Sequence, residues 1–220
     1  MLNAFLQAVR PAAAGSVPVA KVSYRRAAVG GLDIFYRDAG PADAPVIVLL
    51  HGFPSSSHMF RDLIPALADR YRVIAPDYPG FGYSSAPAPE DFAYSFDALA
   101  DVVETLLTDL GVNRYVLYMQ DFGGPVGFRI AARHPERVNG LIVQNAVANL
   151  EGFAASAAGT FGPYWGDRNA ETEKPVRGFL TAETTRFQYE HGSSARADHV
   201  SPDAWHHDQW LLDRPGNDRI

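Results

Sequence analysis

Four short apolar runs recur along this chain of 220 residues, and amphipathic stretches separate them. They are Pro45-Val46-Ile47-Val48-Leu49-Leu50, Tyr71-Arg72-Val73-Ile74-Ala75-Pro76, Arg114-Tyr115-Val116-Leu117-Tyr118 and Leu141-Ile142-Val143-Gln144. The first has no polar position, the pattern of a strand covered on both faces. Between the runs, apolar residues return at helical spacing. Phe60, Leu63, Ile64 and Leu67 predict one helix, capped within Ser55 to Ser57. Leu99, Val102, Val103, Leu106 and Leu110 predict a second, closed by Gly111, and Val126, Phe128, Ile130 and Ala131 a third. Strand–helix alternation of this kind predicts an α/β fold: a mostly parallel sheet with right-handed crossovers and helices on both faces.

Three regions are expected. Residues 1–20 read as an arm: Asn3, Gln7 and Arg10 interrupt any apolar core that a signal peptide would need. Residues 21–149 read as the sheet-bearing core, opening with a hairpin whose two alternating segments, Val22-Ser23-Tyr24-Arg25 and Leu32-Asp33-Ile34-Phe35-Tyr36-Arg37, flank Gly30-Gly31. Residues 150–220 read as a partial helical lid. Gly152 to Thr160 is rich in Ala, Gly and Ser; helices are predicted over Glu183 to Glu190 and after Ser201-Pro202, and Trp165, Trp205 and Trp210 all fall in this part. Apolar residues make up 47% and charged residues 20% of the chain, enough for a sizeable core. A formal charge of −6 argues against nucleic acid and anionic membrane surfaces as partners. The absence of cysteine excludes disulfides, thiolate catalysis and cysteine-ligated zinc. No stretch reaches membrane-span length, and a cytoplasmic address is expected.

The chemistry centres on Tyr118-Met119-Gln120-Asp121-Phe122-Gly123-Gly124, where a strand turns sharply into a helix. A side chain on such a turn stands where a nucleophile elbow presents its attacking atom. Taken alone, Asp121 reads more readily as a helix N-cap, since Asp is a favoured capping residue. The turn His51-Gly52-Phe53-Pro54 changes the weighing, because it ends the strand expected beside the elbow strand. In an elbow site, the backbone N–H groups of Phe122 and Phe53 would form the oxyanion hole. A carboxylate is ionised at neutral pH and needs no base in order to attack saturated carbon and form an alkyl ester.

Together with Asp77-Tyr78-Pro79-Gly80-Phe81-Gly82-Tyr83-Ser84, these motifs resemble the α/β-hydrolase superfamily, in its branch with an Asp nucleophile. That branch contains epoxide hydrolases and haloalkane dehalogenases. The resemblance implies a cis Phe53–Pro54 bond, a small apolar organic substrate and no cofactor. It also shows departures. Met119 stands where the general elbow pattern has a small residue, which predicts strand and helix slightly further apart. Haloalkane dehalogenases usually place Trp after the nucleophile, and many place Asn where this chain has Phe53. Both are donors to a departing halide, and Phe122 and Phe53 replace neither. Weight therefore shifts toward epoxide opening, with the oxygen protonated by a tyrosine of the lid. Tyr164 and Tyr189 are the lid tyrosines, Tyr164 the better candidate, and Trp165 joins them as a pocket residue.

His51 reads as a support for the oxyanion turn. His58, His134, His191 and His199 carry no metal-ligand spacing. His206 and His207 are adjacent, diverge by about 100° on a helix and are expected on a solvated lid face. In the family resembled, the catalytic acid and histidine follow the nucleophile, generally after the lid, and they are expected beyond Ile220. Asn145-Ala146, after the fourth run, brings no carboxylate. The expectation is a chain that can attack but not release its ester, with Leu141 to Val143 forming an apolar sheet edge prone to self-association. The alternatives are a haloalkane dehalogenase-like hydrolase, and a non-catalytic, truncated remnant that binds a small apolar ligand.

Overall fold

The computed structural model describes residues 21–193 and 197–220; the arm expected over residues 1–20 lies outside the described residues. The chain enters through a hairpin, β1 (Ser23–Val29) and β2 (Leu32–Ala39), with Val29 opposite Leu32. Gly30 and Gly31 turn it at φ of +57° and +85°, the left-handed pair that a two-residue type I′ loop requires. Then come β3 (Val46–Leu50), β4 (Arg72–Pro76), β5 (Tyr115–Gln120) and β6 (Val138–Gln144). Among the described residues they form one sheet of six strands, ordered β1-β2-β4-β3-β5-β6. β3 to β6 are mutually parallel, and β2 joins β4 antiparallel.

β3 shows why its sequence has no polar position. Val48 and Leu50 enter one core, with Leu99, Val103 and Leu106 of α2 (Phe96–Asp109) and Val126 and Ile130 of α3 (Gly123–Arg133). Ile47 and Leu49 enter the opposite core, with Phe60 and with Ile64 of α1 (Leu63–Leu67). Alternate side chains thus feed two cores, so both sets must be apolar. At the far edge β6 lies open: Leu141, Ile142 and Val143 are 45%, 44% and 49% exposed.

The single helix expected from Ser55–Ser57 to Leu67 is instead two pieces. A 3-10 turn spans Ser57–Phe60, capped by Ser56, whose hydroxyl accepts from the His58 N–H at 3.3 Å, and α1 restarts at Leu63. Pro65 explains the break. It has no N–H for the Arg61 carbonyl, so a helix can contain it only where that residue falls in the first turn.

Beyond β6 are α4 (Ala155–Gly166), α5 (Ala170–Val176), α6 (Ala182–Glu190) and α7 (Pro202–Leu212). α6 and α7 lie where helices were expected: Ser201 accepts from Asp203 N–H with Pro202 in the first turn, as its capping signal predicted, and Thr181 caps α6 by accepting from Thr184 N–H. α4 and α5 have no buried residue, and so lack the apolar stripe that would mark them in sequence. The chain end is tied to the loop after β4: Arg214 and Asn217 both donate to the Gly80 carbonyl at 3.1 Å. No helix among the described residues is long and apolar enough to cross a membrane.

Candidate active site at the strand-to-helix elbow

Asp121 follows the last residue of β5 and has φ of +48°. A non-glycine residue in the left-handed region is strained by about 1 kcal/mol or more. The cap of α3 is Phe122, and no side chain caps that helix. Asp121 is therefore not serving as an N-cap. Its Oδ1 instead accepts the Phe53 N–H at 2.8 Å across the site. Burial pushes the Asp121 pKa up, while the N–H groups of Phe53 and Phe122 pull it down; the net shift is upward. The Phe53–Pro54 bond is cis, as the resemblance implied.

Close approach makes this contact possible. A Cβ on Gly52 would stand 2.3 Å from the Asp121 Cβ and 2.5 Å from Gln120 Oε1. Met119 does not wedge strand and helix apart as expected. Opposite it lies Gly127, where a Cβ would fall 2.2 Å from the Met119 sulfur. The bulk has moved from helix to strand, and Met119 is fully buried in the space so made.

His51 is fully buried and supports the turn, as its position in the sequence suggested. Its Nε2 accepts from Tyr78 N–H at 3.2 Å, which leaves Nδ1 to donate to the Gly52 carbonyl at 3.1 Å. Burial pushes its pKa down, so it stays neutral. Asp77, also fully buried, accepts from Ser57 N–H at 2.7 Å and Tyr83 N–H at 2.8 Å. The first bond joins the segment after the Phe53–Pro54 turn to the loop after β4, and the second closes that loop on itself. Phe122 lies among Phe53, Phe81 and Phe96, with ring centroids 6.0, 6.2 and 5.1 Å away. The Phe53 and Phe122 side chains beside Asp121 are thus part of an aromatic wall and offer no donor themselves. The Tyr78 hydroxyl is buried with no partner among the described residues, and burial, then the Asp121 charge, hold its pKa well above the usual value.

The three pocket residues expected from the last third of the chain are not joined to Asp121 by any hydrogen bond or ring contact among the described residues. Tyr164 is half-buried under the Arg168 guanidinium, 5.5 Å from its ring. Trp165 is 47% exposed and stacks on Phe161 at 5.6 Å. Tyr189 donates its hydroxyl to Asp208 Oδ2 at 2.5 Å.

Asp208 is the residue that sequence reasoning missed. It is fully buried, and its Oδ1 also accepts from Ser55, two residues after Phe53, at 3.3 Å. Its signal lay in helical spacing: Ala204, Asp208 and Leu211, at i, i+4 and i+7, are the buried face of α7. His207 corrects another expectation. His206 is exposed, but His207 stacks on His58 with centroids 4.0 Å apart and shares a 3.1 Å hydrogen bond with the Tyr83 hydroxyl. It is partly buried against His58 and Tyr83.

The geometry agrees with comparison to known proteins. The family described as "alpha/beta hydrolase fold" matches residues 45–219. An uncharacterized hydrolase of Saccharomyces cerevisiae is 38% identical over 192 residues, 86% of this chain and 66% of the relative. Haloalkane dehalogenase 2 of Mycobacterium tuberculosis is 42% identical over 112 residues, 51% of this chain and 38% of its own. A solved epoxide hydrolase, CorEH, shares the fold at TM-score 0.73 and 24% identity, over 90% of this chain and 71% of that one. This chain therefore spans between about two-fifths and two-thirds of those sequence relatives. With the six-stranded sheet, the elbow and a family match over most of its length, the chain belongs to the α/β-hydrolase fold family.

Proposed function

We propose that Asp121 is a nucleophile that forms an alkyl ester with a small apolar organic substrate, an epoxide in preference to an alkyl halide. The observation that carries this reading is the Asp121 carboxylate itself. It is held by the Phe53 N–H at 2.8 Å from a strained backbone position, while α3 goes without a side-chain cap. With Oδ1 held by the Phe53 N–H, Oδ2 is the oxygen left to attack. Its electron pair forms the new C–O bond, the epoxide C–O bond breaks, and the freed oxygen takes a proton from a donor. The Phe53 and Phe122 N–H groups would then face the ester carbonyl and stabilise an oxyanion during hydrolysis.

The preference for epoxides rests on the aromatic wall. A departing halide needs N–H donors, and Phe53 and Phe122 have none in their side chains. An epoxide oxygen stays attached and needs one proton, for which Tyr164 is the proposed source. The Tyr189 proton is already directed at Asp208. Release of the ester needs a base-activated water. His51 cannot supply the base, since both its nitrogens are engaged with backbone groups. The ester is therefore proposed to accumulate in this chain. A haloalkane dehalogenase-like reading is favoured by the mycobacterial relative, and the experiment separates the two.

The folded chain would be incubated with a styrene-oxide-type epoxide and with a bromoalkane, then examined by intact mass. The expected result is a stable adduct from the epoxide more than from the bromide, located on Asp121 and lost in Asp121→Asn. No adduct from either compound would refute the nucleophile. A dominant bromide adduct would reverse the substrate preference.

A further inference from the structure

On the hairpin side of the sheet, away from the elbow, β1, β2, the Ser57–Phe60 turn and α7 enclose an open depression of about 510 Å³. Neither Asp121, Phe53 nor Phe122 lines it. Its lining holds three arginines, two histidines and three aromatic rings, and no carboxylate. In a chain with a formal charge of −6, that is a local reversal of sign.

Arg37 is the centre of this arrangement. It is only 6% exposed, yet its partners are neutral: Nε donates to the Ser57 hydroxyl at 3.1 Å, and Nη2 to His58 Nδ1 at 3.4 Å. No carboxylate lies within ion-pair distance of it among the described residues. By contrast, Arg26 at the rim pairs with Asp33, and Arg72, on the neighbouring strand, with Asp38 at 3.1 Å. A buried guanidinium without a counter-charge is costly, and such charges are ordinarily paired. Accepting from Arg37 at Nδ1 leaves His58 with its proton on Nε2, a further donor. Burial, then His207, Arg61 and Arg37, hold the His58 pKa down at about 4, so the positive charge of the depression belongs to the arginines. Arg61 uses Nη1 on the His58 carbonyl at 3.3 Å and meets its neighbour Asp62 only through Nε, at 3.6 Å. Both guanidiniums thus keep N–H groups uncommitted, in the fork geometry that suits an oxyanion. Beside them, Tyr24 and Tyr83 expose ring surface, at 64% and 37%. Tyr24 lies against the Arg37 guanidinium, 5.1 Å from ring centroid to carbon.

We propose that this depression binds a small organic anion, with its carboxylate or phosphate oxygens on Arg37 and Arg61 and an aromatic body against Tyr24 and Tyr83. The site is independent of Asp121, so its test does not depend on the proposed chemistry. Titration calorimetry on the full chain would use benzoate, phenyl phosphate, inorganic phosphate and, as an uncharged control, benzamide. One-to-one binding of benzoate or phenyl phosphate, absent for benzamide, is expected. Arg61→Gln should weaken it about tenfold, the worth of one charge-assisted hydrogen bond. Arg37→Gln should weaken it at least as much, and Asp121→Asn should leave it unchanged. Phenyl phosphate without benzoate would assign the site to phosphate esters; the reverse would assign it to carboxylates. Should Arg37→Gln fail to fold, Arg61→Gln on the rim carries the test. No saturable binding by the folded chain, equal binding of benzamide, or undiminished binding in Arg61→Gln would each overturn the proposal.

Discussion

Replacing Asp208 by Ala isolates the bond between the last helices and the turn after β3. The carboxylate is fully buried and accepts two hydroxyls, Tyr189 at 2.5 Å and Ser55 at 3.3 Å. The first is a short, charge-assisted bond of the kind worth about 1.5–3 kcal/mol. The second is long, and the Ser55 hydroxyl already has the Ser56 carbonyl as a weak alternative at 3.5 Å, so its loss adds about 0.5 kcal/mol. Truncation also leaves the Tyr189 hydroxyl inside, among groups that cannot replace the carboxylate. The expected destabilisation is about 2–4 kcal/mol, reduced by whatever desolvation the lost charge no longer incurs. Urea unfolding followed by tryptophan fluorescence suits the measurement, because all three tryptophans lie beyond β6. Tyr189→Phe alone and the double variant complete a thermodynamic cycle, and a coupling of about 1.5 kcal/mol or more is expected between Asp208 and Tyr189. A loss below about 0.5 kcal/mol in Asp208→Ala, or no coupling in the cycle, would refute the reasoning that this carboxylate latches α6 and α7 to the turn.

Other expectations follow from the same contacts. Gly127→Ala places a Cβ 2.2 Å from the Met119 sulfur and should cost about 1–3 kcal/mol in urea unfolding; adding Met119→Ala should recover part of it, and no recovery would mean the clash lies elsewhere. Asp121 has a raised pKa in the folded state, chiefly through burial. The fold therefore gains from it fully only below the unfolded pKa, and loses that stability as pH rises through the folded value. Asp121→Asn should accordingly melt higher than the parent at neutral pH, with the gap closing toward roughly pH 4; a lower melting temperature at neutral pH contradicts that sign. Along the open edge, β6 should pair with a second copy, so Val143→Lys should reduce the self-associated fraction in sedimentation velocity; equal association in both proteins would place the contact elsewhere.

The parts legible in the sequence were those where one physical requirement acts on consecutive residues. β3 must feed two cores at once, so five of its residues in a row are apolar. The elbow is similar, since a tight strand-to-helix turn against a second turn demands small residues at fixed places, Gly52 among them. Where two requirements meet across the fold, the single sequence misleads. Met119 looked like a wedge because its complement, Gly127, lies eight residues away on the following helix. α7 is the sharper case. Its hydrophobic surface is split, with Trp210 62% exposed and Ala204 and Leu211 buried. The acid between Ala204 and Leu211 can lie on that inward face because Ser55 and Tyr189, brought from two other segments, donate to it there. A buried carboxylate on a helix of ordinary polarity carries only a faint local signature, its place at helical spacing between Ala204 and Leu211. It becomes readable only once the groups that pay its desolvation are in place, and α7 then presents His207 to His58 as a geometric consequence of Asp208 facing Ser55.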